Sequence, residues 1–91
     1  MNQRRSNIEI ISEMLRIGAS GAGKTELMYS ANMSYRQIQK YLKFMMAQGL
    51  IDKVEVDHPS VTYLVTEKGH GLRHSIEVVL EVLNFKEPDE K

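Results

Sequence analysis

Three groups of residues in this 91-residue chain have types and spacings that could do chemistry. The first is "GASGAGKT", Gly18 to Thr25, which fits the pattern G-x-x-x-x-G-K-[ST] at every specified position. In a working phosphate loop, successive backbone N–H groups cradle the phosphates, the lysine reaches the outer ones and the hydroxyl holds Mg²⁺. The second is His70 and His74, four residues apart, with Glu77 continuing the same helical face, a spacing that can ligate a metal. The third is Arg36, Lys40 and Lys43 with Gln39 at their margin, donors suited to phosphates and base edges. Each group works only if the surrounding elements place it correctly.

The segment before the glycine loop decides the first case. Ser6 and Glu9 have capping-box spacing, and Ile8, Ile11, Met14 and Leu15 recur at helical intervals. An amphipathic helix over 6–20 therefore precedes the loop, where a phosphate loop requires a buried strand. Asp52 is the nearest candidate for a Mg²⁺-holding acid, but the apolar run before it is too short for a central parallel strand. Sixty-six residues follow Thr25, and each parallel βαβ unit needs roughly 30 or more. The glycines read instead as a helix end and a turn, with Gly21 in the left-handed region and Thr25 capping a short helix over 25–30. No nucleotide, no other cofactor and no catalytic group is expected. The His70/His74 spacing is common by chance, and no metal is expected either.

The rest of the chain alternates periods. Ser34 and Gln37 repeat the capping-box spacing and open a helix over 34–48, closed by Gly49. Ile38, Tyr41, Leu42, Met45 and Met46 form its apolar stripe, and Phe44 sits at the border as a packing residue. Arg36, Lys40 and Lys43 lie on the opposite side with no acid among them. Residues 51–65 alternate with period two around "DHPS", a β-hairpin. Thr66 caps a last helix to about Asn84, weakened early by two glycines. Along it, Leu72, Ile76, Val79 and Leu83 step by four, three and four, the seam of a coiled coil. A polar tail, 85–91, is expected to be disordered.

Composition narrows the classes. A chain of this length makes one small domain whose core is marginal alone, which favours a partner subunit. No apolar run approaches the roughly 20 residues of a membrane span. The N-terminal "MNQRRSN" lacks an apolar stretch of signal-peptide type, and there is no cysteine. A cytoplasmic, nucleoid-associated protein is expected. Net charge is zero, yet residues 1–50 carry seven basic against three acidic residues, while the remainder carries five against nine. The first half is thus suited to meeting an anion.

Helix, short helix, tight turn, basic helix, hairpin, helix is the winged-helix plan, an α+β, mainly helical fold. "KTELMYSANMSYRQIQKYLKFMMAQGLI" followed by "YLVTEKG" resembles the small archaeal winged-helix proteins that include ten-kilodalton chromatin-associated DNA binders. The resemblance runs from about Arg4 to Asn84, so residues 1–84 are expected to form one winged-helix domain. It implies double-stranded DNA binding through the second helix of the motif, and a homodimer through an antiparallel coiled coil of the last helix.

A recognition helix lies in the major groove with its N-terminal residues at base edges. Tyr35, Arg36, Gln39, Lys40 and Lys43 would then face DNA. Arg36 and Gln39 suit guanine and adenine edges, and Lys40 and Lys43 suit phosphates as point charges. Lys24, Thr25 and Ser34 are further phosphate candidates at helix N-termini. At the wing, Lys53 and His58 can reach the backbone, although Asp57 beside them repels it. Leu72, Ile76, Val79, Leu80 and Leu83 are the candidate dimer residues; the same helix could instead cover its own domain's core. The alternative function is a winged-helix protein-interaction module without DNA binding.

Overall fold

The computed structural model of the chain describes residues 6–55 and 61–83. Arg4, Arg5, the wing tip with Asp57 and His58, and the tail from residue 84 lie outside the described residues. The elements run α1 (Asn7–Ile17), α2 (Lys24–Ser30), α3 (Tyr35–Ala47), β1 (Ile51–Glu55), β2 (Val61–Val65) and α4 (Glu67–Val82).

Both capping boxes form. Ser6 Oγ accepts the Glu9 N–H at 3.1 Å while Glu9 Oε1 accepts the Ser6 N–H at 2.9 Å. Ser34 and Gln37 make the same reciprocal pair at 3.2 and 3.1 Å. Each box satisfies two amides that a helix start leaves without partners. α1 ends at Ile17, three residues before the expected limit, with Gly18 as its C-cap and the Gly18 N–H making the last helical bond to Met14 O at 2.9 Å. The buried residues of α1 are Ile10, Met14 and Leu15, whereas Ile8, expected in the stripe, is half exposed.

The glycine stretch then turns and pairs with the wing. Gly21 has φ of +101° and donates to Gly18 O at 3.0 Å. Ala22 exchanges two hydrogen bonds with Tyr63, at 3.0 and 2.8 Å, as a short third rung of the sheet. The amides of Gly18, Ala19, Gly21 and Ala22 are all donated to protein carbonyls. A phosphate loop needs such amides free to aim at its ligand. The extended backbone that pairs Ala22 continues to Gly23, which is the N-cap of α2. Thr25, expected as that cap, therefore lies one residue inside the helix, where its hydroxyl is past the capping position.

Between α2 and α3 the chain turns at Asn32, whose φ of +55° is a conformation asparagine tolerates. Met33 N–H returns to Met28 O at 2.9 Å, and Ala31 and Met33 are buried beneath the turn. β1 and β2 pair antiparallel with Ile51 opposite Val65 and Lys53 opposite Tyr63. That register turns Ile51, Tyr63 and Val65 inward, while Val54 and Leu64 face out. The core is one cluster centred on Met14, Leu15, Leu27, Ile38, Met45 and Ile51.

The junction of α3, the wing and α4 is the most tightly specified part. Gly49, with φ of +73°, ends α3 in the left-handed conformation. Lys68 Nζ then donates to Gln48 O at 2.8 Å, Thr66 Oγ1 to Gly49 O at 2.6 Å, and Thr66 N to Leu50 O at 3.0 Å. Thr66 Oγ1 also caps α4 by accepting the Gly69 N–H at 3.0 Å. Gly69 is a condition of this packing, not the simple weakening of the helix expected above. A Cβ there would stand 2.3 Å from Leu50 O and 2.7 Å from Val65 Cγ1.

Two outcomes follow. Gly69→Ala should destabilise the chain by about 3 kcal/mol, the upper range for forcing an atom into a packed site, measured by urea denaturation; Gly71→Ala, where a Cβ meets nothing within 4 Å, should be neutral or stabilising. Mg-ATP should leave the melting temperature unchanged, since a nucleotide at a hundred times its Kd would add about 2.7 kcal/mol. A thermal shift abolished by Lys24→Ala would contradict the account of the loop.

Candidate nucleic-acid interface

α3 separates its two sides sharply. Ile38, Leu42 and Met45 are buried, and Arg36, Gln39, Lys40 and Lys43 are exposed on the other side. Two further cations reach that side from elsewhere in the fold. Lys24 opens α2, and Lys53 projects from β1 on the strand face that Tyr63 occupies opposite. Together they line an open cleft of about 510 Å³ with Lys24, Arg36, Lys40, Lys43 and Lys53 around it and Tyr63 and Met46 at its apolar floor. Among the described residues no carboxylate lines this cleft. Five like charges brought together from separate elements favour a bound polyanion.

The other sequence-derived candidates fall outside that lining. Ser34 Oγ accepts the Gln37 N–H as the α3 cap, so one of its lone pairs is already engaged. Thr25 is exposed in the first turn of α2. Tyr35 is 61% exposed, and Lys24 Nζ sits 5.3 Å from its ring centroid. Lys24 Nζ also donates to Gln39 Oε1 across fifteen residues of sequence. Nothing in the sequence pattern signals that link, because it depends on how α2 crosses α3. Phe44, expected to pack, is about half exposed and lines a second, more apolar depression of about 320 Å³ with Asn7, Ile11, Lys40 and Tyr41. Tyr41 closes one side of it by donating to Asn7 Oδ1 at 2.6 Å.

On α4 the predicted seam divides. Ile76 is buried within the single chain and Leu72 packs against the core cluster, so these two serve the domain itself. Val79, Leu80 and Leu83 are 47, 38 and 67% exposed, and Val78 and Val82 beside them are open as well. Among the candidates for a metal, Glu77 accepts from Arg73 Nε at 3.0 Å, an i,i+4 pair along the helix. Among the described residues no helix is long and apolar enough to cross a membrane.

Known proteins share this fold. The winged helix-turn-helix family matches residues 4–84. An uncharacterised protein of Methanocaldococcus jannaschii, MJ0287, is 34% identical over 84 residues, which is 91% of this chain and 81% of that protein. The crystal structure of Sso10a-2, a DNA-binding protein from Sulfolobus solfataricus, superposes with a TM-score of 0.78 at 30% identity, covering 88% of this chain and 83% of that one. The fold also matches wild-type ZitR of Lactococcus lactis in complex with DNA, with a TM-score of 0.65 at 17% identity over 90% of this chain and 60% of that one. With helix, turn and helix, the two-stranded wing and α4 all inside the matched span, this chain belongs to the winged helix-turn-helix family.

Proposed function

We propose that this protein binds double-stranded DNA, with α3 in the major groove, and acts as a transcriptional regulator or chromatin-associated protein. The observation that carries the reading is the cleft in which five cations from α2, α3 and β1 converge, with no carboxylate among the described residues that line it. The similarity to Sso10a-2, described as a DNA-binding protein, supports it. Arg36, in the first turn of α3, is the candidate for bidentate reading of a guanine edge. Lys40, Lys43 and Lys53 serve as phosphate contacts that set register and orientation.

The protein works as a homodimer through the end of α4. Leu72 and Ile76 hold the helix on its own domain, while its last turns and C-cap carry Val79, Leu80 and Leu83 into solvent. A second copy supplies the apolar cover these residues lack, and a twofold pair presents two α3 helices to half-sites about one helical turn apart.

Three measurements test this reading. Lys40→Ala should reduce the slope of log affinity against log salt by about one, and Arg36→Ala should relax discrimination at one base pair by about 1–3 kcal/mol. If the double variant held duplex DNA as tightly as the wild type, the DNA-binding reading would be abandoned in favour of a protein-interaction module. In sedimentation, Val79→Glu with Leu83→Glu should give monomers from a dimeric wild type; a dimer that survives both changes would refute the α4 interface.

A further inference from the structure

The lysine of the phosphate-loop pattern has a different situation from the other cations of the cleft. Among the described residues, Arg36, Lys40, Lys43 and Lys53 make no side-chain hydrogen bond or ion pair. Lys24 alone of the five has partners, and both are on α3. Its ammonium lies over the Tyr35 ring, 5.3 Å from the centroid, and donates to Gln39 Oε1. Tyr35 and Gln39 are four residues apart, one turn along the same helical face. Lys24 is thus held across the first turns of the helix proposed to read bases.

The consequence falls on Gln39. A glutamine amide can present either its carbonyl or its NH₂ by turning about its last torsion, so an unsupported glutamine discriminates poorly between donor and acceptor edges. An ammonium is a donor only, so the end of the amide it holds must be the carbonyl. The Nε2 hydrogens are then turned away from Lys24. In the major groove, guanine, adenine and thymine each offer an acceptor to such a donor, whereas cytosine offers only its N4 amino group.

We infer that Lys24 is a positioning residue for base readout: it fixes the amide orientation of Gln39, so that the base facing Gln39 is selected against cytosine. This deepens the DNA-binding reading and rests on it. It also separates Lys24 from the phosphate contacts in kind, because a phosphate lysine changes affinity for all sequences alike.

The test starts from a randomised duplex library bound by the full wild-type chain, followed by anisotropy titrations of the selected duplex and of versions with cytosine at each contacted position. Wild type should disfavour cytosine at one position by on the order of tenfold or more. Lys24→Met, which keeps the apolar stem beside Tyr35, should lose most of that discrimination while keeping the wild-type salt slope. Lys24→Arg, which restores a donor, should recover it. A thermal melt of each variant reports that the domain is folded. Overturning results are a Lys24→Met chain that weakens equally on all duplexes with a slope reduced by about one, or a wild type that binds DNA without disfavouring cytosine anywhere. The latter leaves the DNA-binding reading intact; a wild type that binds no duplex at all removes both.

Discussion

The carbonyls of Gln48, Gly49 and Leu50 are all taken up by residues at the start of α4, and the rest of the structure depends on this. A helix C-terminus leaves its last carbonyls without internal partners. Here Lys68 takes up the carbonyl of Gln48, the C-cap of α3, and Thr66 takes up those of Gly49 and Leu50 just beyond it, while Gly69 lets α4 come within contact of Leu50 O. The same few residues connect α3 to β1 and β2 to α4. Fixing that point fixes the angle of α3 against the wing. It is this angle that brings Lys53 of β1 alongside Arg36, Lys40 and Lys43 of α3.

The glycine loop reinforces the arrangement from the opposite side. By pairing Ala22 with Tyr63, it ties the entry to α2 onto the wing and delivers Lys24 to the same cleft. The cleft is therefore assembled from three elements that are each held by backbone hydrogen bonds, and its charges do not depend on one another for position. A rigid platform of like charges suits a polyanion whose phosphates are regularly spaced. The proposed dimer would place two such platforms on one duplex.

Much of this was legible in the sequence because it is local. The two capping boxes, the stripe of Ile38, Leu42 and Met45, and the period-two hairpin are set by neighbours within a few positions, and each appears where its spacing puts it. The cationic face of α3 follows from the same periodicity. What the pattern could not give depends on which elements meet. Ile10 is buried in place of Ile8 because α1 is oriented by its contacts with α2 and α4. Ile76 belongs to its own domain because α4 packs against α1. Gly69 looks like a flaw in a helix until Leu50 is placed beside it. Thr25 looks like a cap until the Ala22 pairing moves the helix start forward. The full match of "GASGAGKT" to a phosphate loop shows the same limit: its residue types agree, but a helix precedes it and the amides of Gly18, Ala19, Gly21 and Ala22 are already bonded.

Whether the cationic cleft of α3 is the surface that meets DNA can be read from an amide-resolved NMR titration with a short duplex at low salt. Shifts should concentrate at Arg36, Gln39, Lys40, Lys43 and Lys53, fade as salt is raised, and leave Val78 to Leu83 unmoved. Shifts centred on the exposed end of α4, or none in α3 at duplex concentrations that saturate binding, would contradict it.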